Sequence, residues 1–210
     1  MTAILTRSIE QLKPQQPRQF SLPDAELTLW PDWLRESSSS LLLQQLRDEL
    51  DWQQPSIRLY GKSVAIPRHQ VWMGEPHCHY CYSGTRFQPV AWHPLVQTLV
   101  ADVSRSCNHT FNCVLLNYYH DGQQHMGWHA DNEPELGLNP VIASISLGQA
   151  RRFDLKHRQT DEQLQLSLSN GSLLLMKGAC QHHWLHRVPK QSKASSMRIN
   201  LTFRYIPDAI

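Results

Sequence analysis

The second half of the chain, from Phe111 onward, is a succession of short apolar or alternating runs separated by Gly, Asn, Asp and Pro. Six such runs within about 95 residues are typical of an antiparallel sandwich or jelly roll. The runs are FNCVLLNYY, VIASISLG, RRFDLKH, QLQLSLS, GSLLLMKG and MRINLTFRYI. This pattern predicts a layered antiparallel sheet at the centre of the fold.

The first half of the chain contains two segments in which apolar residues recur at helical intervals. SSSSLLLQQLRDELDW predicts one helix, with a serine cap at Ser39 or Ser40 that accepts a free backbone N–H. Its expected core positions are Leu42, Leu43, Leu46 and Leu50. HPLVQTLVADVSRSC predicts a second helix, with Pro94 tolerated in its first turn. Helices first and strands after predict an α+β fold in which the helices pack on one sheet.

The remaining segments suggest one domain with an extension. Residues 1–20 are rich in Gln and Pro and predict a loose N-terminal arm, which leaves residues 21–210 as a single domain. Between the two helices, residues 66–92 are irregular and rich in aromatic, His and Cys side chains. Such a composition favours a recognition loop over core material.

Composition bounds the function only loosely. The formal charge of +2 and the pI of about 8.3 give no strong polycation argument for nucleic acid, although a local basic groove stays open. Five cysteines without a leading signal sequence favour free thiols in a reducing, cytoplasmic compartment. No run approaches the roughly 20 apolar residues of a membrane span. We therefore expect a cytoplasmic protein that does not enter membranes. We also expect a monomer, which the composition does not determine.

The segment GWHADNE is the first candidate for chemistry. His129 and Asp131 stand two residues apart, so on an extended backbone both side chains would point to the same face. A facial triad of two histidines and a carboxylate suits Fe(II), because it leaves positions for a cosubstrate and O2. The missing histidine could be His182, His183 or His186 in QHHWLHRVP. An isolated H-x-D is more often a surface pair, so this segment alone does not establish a metal site.

The last run, MRINLTFRYI, adds a second constraint. Its polar residues, Arg198, Asn200, Thr202 and Arg204, alternate with apolar ones and therefore share one face of a strand. Two arginines on an inward face would be costly unless an anion meets them. A dicarboxylate offers two anionic ends, each suited to the forked guanidinium. The alternative is an edge strand whose polar face lies in water.

Together these motifs resemble the AlkB family of Fe(II)- and 2-oxoglutarate-dependent dioxygenases, over about residues 66–206. NYYHDGQQHMGWHADNE resembles the family segment that runs into H-x-D, and GSLLLMKGACQHHWLHRVP resembles the segment with the distal histidine. RINLTFR matches the family signature R-x-N-x-T-x-R. The resemblance implies a double-stranded β-helix, or jelly roll, with Fe(II) on His129, Asp131 and His186.

The resemblance also implies the residues around the cosubstrate and the substrate. The residues expected to bind 2-oxoglutarate are Asn117, Tyr119, Arg198, Asn200, Thr202 and Arg204, with the two arginines on its carboxylates. IPRHQ and YCYSG resemble the nucleotide-recognition segment of the family, which makes residues 66–92 a lid. Tyr82 and His129 would stack on a base taken out of the helix, and Glu133 would face it, since a carboxylate favours a cationic methylated base. The other expected substrate contacts are Arg68, Tyr80 and Ser83.

The implied function is oxidative demethylation of N-alkylated bases in DNA, of the 1-methyladenine or 3-methylcytosine type. Formaldehyde would be released while 2-oxoglutarate and O2 become succinate and CO2. The alternatives are a 2-oxoglutarate oxygenase that acts on RNA or protein, and a non-catalytic nucleic-acid binding module with a structural ion. The intact R-x-N-x-T-x-R argues against the module, because a structural ion needs no diacid pocket.

Three further features leave alternatives open. Asn132 stands where many relatives carry an acid directly after the metal aspartate, so that position keeps hydrogen bonding but loses charge. Cys78 and Cys81, with their neighbouring histidines, could bind zinc, but C-x2-C alone is half of a zinc site. Arg151 and Arg152, with Lys156, could line a phosphate groove or form a solvated strand face.

Overall fold

The computed structural model describes residues 16–59, 62–82 and 85–208 of the chain. Within these ranges the chain forms fifteen strands and three α-helices. The helices are α1 (Glu36–Glu49), α2 (Pro94–Cys107) and α3 (Cys180–His183). The strands are β1 (Arg18–Leu22), β2 (Ala25–Trp30), β3 (Ser56–Leu59), β4 (Lys62–Ala65), β5 (His69–Gly74), β6 (Tyr80–Tyr82), β7 (Thr85–Phe87), β8 (Cys113–Tyr119), β9 (Met126–His129), β10 (Ile142–Gly148), β11 (Arg151–His157), β12 (Gln163–Leu168), β13 (Ser172–Lys177), β14 (Trp184–Val188) and β15 (Arg198–Arg204).

Two antiparallel sheets form the body of the protein. The large sheet has seven strands in the order β1-β2-β13-β10-β15-β8-β5, and the small sheet has four in the order β12-β11-β14-β9. All six runs predicted as strands are strands, and the jelly-roll core with helices on one sheet is confirmed. Two short hairpins, β3-β4 and β6-β7, stand apart from these sheets.

Strand β15 lies inside the large sheet, between β10 and β8. All seven of its residues are buried, so the alternative of an edge strand with a solvated polar face is excluded. Its apolar residues pack toward the helices, while its polar residues face the space between the two sheets. The clean alternation of the sequence therefore divides one strand between a hydrophobic core and a polar cavity.

The large sheet separates two apolar cores. α1 packs against β10 and β15, and α2 contributes to the same layer. The helix-side core includes Leu43, Leu46, Val96, Leu99, Leu116, Ile199, Leu201 and Phe203. The core between the sheets includes Leu27, Leu29, Ile142, Phe153, Leu155, Leu174 and Trp184. Together these layers hold the two sheets at fixed separation and leave the polar cavity between them.

Both predicted helices are present, but the predicted serine cap is wrong. α1 starts after Arg35, and Ser39 lies fully buried within its first turn. The Ser39 hydroxyl donates backward to the carbonyls of Arg35 and Glu36, at 3.0 and 3.1 Å. Leu50 follows the end of α1 and is half-buried. α2 begins at Pro94, as predicted, because its first turn needs no proline N–H.

The predicted order of helices first and strands after is also wrong. β1 and β2 precede α1 and extend the large sheet, because Ala25, Leu27 and Leu29 alternate inward along β2, whose residues 26–30 pair with β13. β5 lies within the segment expected to be irregular and pairs with β8. Its final four residues are buried, so this part of the segment belongs to the core.

Two predicted boundaries fall partly outside the described residues. Residues 1–15 of the expected N-terminal arm are not among them, and β1 starts at Arg18, so the boundary expected at residue 20 falls inside a strand. In the expected lid, the backbone of the β6-β7 hairpin is described on both sides of its turn. None of the described helices is long and apolar enough to span a membrane.

We predict that Leu46→Ala destabilises the protein by about 2–5 kcal/mol, because Leu46 is fully buried and its loss leaves a cavity in the helix-side core. Urea unfolding followed by circular dichroism measures this change. Leu41 lies on the same helix but is 47% exposed, so Leu41→Ala is the control, with an expected change within about 0.5 kcal/mol. An equal loss in both variants would contradict the burial of this helix face.

Candidate active site

The pairing of β9 with β14 places His129 directly opposite His186. Their rings lie 4.2 Å apart between centroids, and Asp131 follows β9 with its Oδ1 4.0 Å from His129 Nε2. One donor atom from each of these residues lies within 4.8 Å of the others. His182 and His183 lie on α3, outside this cluster. Two imidazoles and a carboxylate so arranged can hold one divalent cation.

The three side chains have the protonation states that metal binding requires. His129 Nδ1 donates to the carbonyl of Gly127 at 2.9 Å, which leaves the lone pair of Nε2 free for a metal. Burial lowers the pKa of His129 and lowers that of His186 to about 3, so both rings are neutral near pH 7. Burial alone would raise the pKa of Asp131, but the positive charge of Arg204 beside it holds that pKa at about 2. The donor set therefore fits Fe(II).

An ion pair connects this cluster to β15. Arg204 Nη2 lies 3.0 Å from Asp131 Oδ2, and their side chains are only 4% and 3% exposed. The Arg204 guanidinium also lies 6.0 Å from the ring centroid of Trp72. The position of the Asp131 carboxylate is thus set both by its own loop and by a cation from the opposite sheet.

The other end of the β15 polar row has the features of an anion site. Arg198 is 1% exposed, and its Nη2 donates to the hydroxyl of Ser146 at 2.9 Å. Its Nε and Nη1 have no hydrogen-bond partner among the described residues. Burial lowers the pKa of Arg198 to about 10, so the guanidinium still carries its charge at neutral pH. A buried cation with two unused donors fits a carboxylate of 2-oxoglutarate.

One cavity between the two sheets joins the cluster to Arg198. It is lined by every residue expected to bind the metal or 2-oxoglutarate, namely Asn117, Tyr119, His129, Asp131, His186, Arg198, Asn200, Thr202 and Arg204. The middle of the polar row is internally bonded, since Asn200 Nδ2 donates to Ser144 Oγ at 2.7 Å and the Thr202 hydroxyl donates to Asn200 Oδ1 at 3.0 Å. The structure therefore brings the whole expected set into one space.

Only some of the residues expected to contact a substrate have side chains that the structure describes. Arg68 lines the same cavity, is 4% exposed, and donates from Nε to Asn117 Oδ1 at 2.8 Å. Glu133 is half-buried just before the 3-10 turn Pro134–Leu136 and does not line the cavity as described. Tyr80 and Tyr82 are described by their backbone alone, and Ser83 lies outside the described residues.

Two residues that support the cluster were missed by the sequence analysis. Phe153 stacks on His186, with ring centroids 5.3 Å apart and planes at 28°. Gln181 is fully buried, and its Oε1 accepts the backbone N–H of Asp131 at 2.9 Å. The alternation of RRFDLKH places Phe153 on the buried face and could have identified it. Gln181 belongs to a four-residue helix with no periodic pattern, so the sequence carried no signal for it.

A second cluster, Asp24, His157 and His183, lies outside this cavity. His157 Nδ1 accepts the backbone N–H groups of Gln159 and Thr160, at 3.3 and 3.1 Å, and so carries no proton. The neutral ring then holds its proton on Nε2, which lies 3.4 Å from Asp24 Oδ2. No lone pair remains there for a metal. This cluster ties the turn between β1 and β2 to the small sheet.

The cysteines near the lid do not form a metal cluster within the described residues. Cys78 is fully buried and its thiol donates to the carbonyl of Asn112 at 3.5 Å. His77 lies 2.9 Å from Asp208 through Nδ1 and 3.6 Å from the Cys78 sulfur through Nε2. Every candidate cluster among the described residues consists of His and Asp. The side chain of Cys81 lies outside the described residues, so the zinc alternative for that residue stays untested.

Comparisons with known proteins agree with this geometry. The family model of the 2OG-Fe(II) oxygenase superfamily matches residues 26–204. Alpha-ketoglutarate-dependent dioxygenase alkB homolog 3 of Homo sapiens is 34% identical over 195 residues, which cover 88% of this chain and 68% of that protein. DNA oxidative demethylase ALKBH2 of Bos taurus is 36% identical over 176 residues, which cover 79% of this chain and 63% of that protein.

A solved structure shares the fold. The structure of OsALKBH1 superposes with a TM-score of 0.65 and 17% identity, covering 89% of this chain and 100% of that one. At this identity the likeness concerns the fold alone, whereas the family rests on the sequence matches. The chain belongs to the AlkB family of the 2OG-Fe(II) oxygenase superfamily and is an Fe(II)- and 2-oxoglutarate-dependent dioxygenase.

Proposed function

We propose that this dioxygenase removes N-linked methyl groups from DNA bases of the 1-methyladenine or 3-methylcytosine type. The observation that supports it is one cavity that holds a cluster of metal donors at one end and the unused donors of buried Arg198 at the other. The names of two relatives, which call them DNA oxidative demethylases, support a nucleobase as the substrate.

In this proposal His129, Asp131 and His186 hold Fe(II). When bound, Fe(II) with 2-oxoglutarate and O2 supplies the oxidising chemistry that hydroxylates the N-methyl carbon, while 2-oxoglutarate becomes succinate and CO2. The resulting N-hydroxymethyl group loses formaldehyde and leaves the repaired base. The protein contributes orientation and exclusion of water, since Asp131 and His186 are 2% and 4% exposed.

The two arginines would take different ends of 2-oxoglutarate. Arg204 is bonded to Asp131 and therefore lies at the metal end, where it would meet the carboxylate next to the keto group. Arg198 lies six residues earlier on β15 and would take the distal carboxylate, with Tyr119 beside it. Asn117, Asn200 and Thr202 would complete the wall of this site.

The base would enter on the side of His129, whose side chain is 25% exposed, more than that of Asp131 at 3%. Tyr82 and His129 would hold the base between their rings, with Glu133 facing its positive charge. Arg68, Tyr80 and Ser83 would contact the base or the flanking backbone. The monomeric state and the cytoplasmic location stay predictions.

A panel of methylated oligonucleotides tests the proposal. Protein purified without O2 is given Fe(II), 2-oxoglutarate and O2 with single-stranded DNA or RNA that carries 1-methyladenine or 3-methylcytosine. We expect succinate and loss of the methyl mass on DNA. Succinate without loss of the methyl group would point to another substrate, and faster repair of RNA than of DNA would move the assignment to RNA. If no substrate gives succinate, the assay would exclude dioxygenase activity and favour the non-catalytic nucleic-acid binding module.

We predict that Asp131→Asn weakens Mn(II) binding at least about hundredfold, because a neutral amide replaces the only anionic donor of the cluster. Calorimetry with Mn(II), which is stable in air, measures the affinity and the stoichiometry. Asp24→Asn is the matched control, since Asp24 belongs to the second cluster. A loss of one bound ion in that control would show that both clusters bind metal.

We predict that Arg198→Met raises the KM for 2-oxoglutarate by about a hundredfold, because the distal carboxylate loses a charge-assisted pair worth roughly 1.5–3 kcal/mol. Mn(II) affinity should stay within about threefold, since Arg198 is not a member of the donor cluster. Steady-state assays of succinate give the KM. An unchanged KM would show that the diacid binds elsewhere.

We predict that Glu133→Gln narrows the preference for cationic over neutral adducts, because an amide of the same size carries no charge to attract the cation. The ratio of kcat/KM for 1-methyladenine and for a neutral etheno adduct measures this preference. Glu135, two residues away and also half-buried, provides the control variant Glu135→Gln. If the ratio of kcat/KM values is the same in the wild type and in Glu133→Gln, then Glu133 does not contribute to the choice of base.

A further inference from the structure

The alternation of β11 separates two consecutive arginines. Arg152 lies on the outer face of the small sheet, 3.0 Å from Asp154, with 40% of its side chain exposed. Arg151 faces inward and is 1% exposed. The expectation that both arginines share a phosphate groove or a solvated face is therefore wrong for Arg151, whose guanidinium lies inside the protein.

The Arg151 guanidinium is surrounded by neutral oxygens. It donates to the carbonyls of Asp121, Gln124 and Pro189 at 3.0, 2.9 and 2.8 Å, and to the side-chain oxygen of Gln191 at 3.3 Å. No carboxylate in the described part of the chain lies within ion-pair distance of it. A buried charge with no carboxylate at ion-pair distance is costly to desolvate, and the four hydrogen bonds and the more distant charge of Asp121 offset part of that cost. The Arg151 side chain is therefore held by backbone and amide oxygens rather than by a carboxylate.

The oxygens that Arg151 binds belong to two loops, residues 120–125 and residues 189–194, which we call the clamp loops. The first leads into β9 with His129, and the second leaves β14 with His186. Gly122 N donates to Ala194 O at 2.7 Å, and Gln191 N donates to Gly122 O at 2.8 Å. A Cβ on Gly122 would lie 1.8 Å from the carbonyl oxygen of Gln191, so only glycine permits this contact. One buried cation thus joins the ends of both strands that carry the histidines.

Tyr119 connects Arg151 to the cavity between the two sheets. The Arg151 guanidinium lies 5.7 Å from the Tyr119 ring centroid, and the Arg198 guanidinium lies 5.4 Å from the same centroid. Tyr119 and Arg198 line the cavity, whereas Arg151 does not. A second cation close to the same ring adds to the attraction for an anion at Arg198 and contacts the ring that this anion would touch.

We propose that Arg151 is a positioning residue for 2-oxoglutarate. It acts through Tyr119 and the clamp loops, so that the Tyr119 ring and the unused donors of Arg198 are in place before the cosubstrate binds. Such preorganisation raises affinity by lowering the cost of ordering the site during binding. This inference rests on the assignment of Arg198 to the distal carboxylate of 2-oxoglutarate.

The test compares Arg151→Met and Arg151→Lys with Arg152→Met, which removes the neighbouring arginine on the outer face. Calorimetry of 2-oxoglutarate binding to Mn(II)-loaded protein gives the Kd without turnover, and succinate assays give KM and kcat. For Arg151→Met we expect Kd and KM to rise about tenfold while kcat stays within about threefold. Arg151→Lys should recover part of the affinity, because it keeps the charge but not the fork. Arg152→Met should bind 2-oxoglutarate like the wild type.

Three outcomes would overturn the inference. The first is a lower Tm for Arg151→Met and Arg151→Lys with an unchanged Kd for 2-oxoglutarate, which would make Arg151 purely structural. The second is an equal rise in the Kd for 2-oxoglutarate in Arg152→Met. That result would show that loss of any positive charge on this strand weakens binding, whatever its position. The third is that Arg151→Lys binds 2-oxoglutarate weakly and also no longer binds Mn(II). That result would show that the substitution disturbs the metal donors rather than the 2-oxoglutarate site. If Arg198→Met leaves the Kd unchanged, the cosubstrate assignment itself fails, whereas a large effect there with none at Arg151 overturns only this inference.

Discussion

The ion pair between Arg204 and Asp131 is the contact on which the site depends. It joins the large sheet to the small one inside the protein, with both side chains under 5% exposed. Each charge would be costly to bury alone, so removal of either partner would leave the other unpaired. The same carboxylate completes the cluster with His129 and His186. One interaction therefore links the packing of the sheets, the charge state of Asp131 and the end of the cavity that holds the donor cluster.

The rest of the cavity extends this arrangement along β15. Its alternating side chains give the helices an apolar surface and give the space between the sheets a polar row. At the near end of the row Arg204 has its anion, and at the far end Arg198 has a serine hydroxyl and two unused donors. In the proposed function, the polarity of the row would orient a diacid, with one carboxylate beside the metal donors and the other remote from them.

The sequence predicted much of this arrangement because alternation and spacing are local properties. RINLTFR specified a strand with one polar face, and H-x-D specified two donors on one side of the backbone. The choice of His186 over His182 and His183 came from the family resemblance, since all three lie within five residues. The sequence did not predict strands β9 and β14, because they have only four and five residues and mix apolar with polar side chains. The predicted cap at Ser39 was wrong because α1 already begins at Glu36, so the Ser39 hydroxyl donates back to the carbonyls of Arg35 and Glu36.

By itself the sequence determined the type of the two long helices and of the six strands predicted from Phe111 onward, and which of their residues share a face, since these depend on neighbours along the chain. It also determined the chemistry that the site can offer. Only the tertiary structure decided which faces meet: that β15 is central, that His129 lies opposite His186, and that Arg151 is enclosed while Arg152 is not. The physical reason is that burial and electrostatic pairing depend on distances between residues far apart in the chain, and no local pattern records those distances.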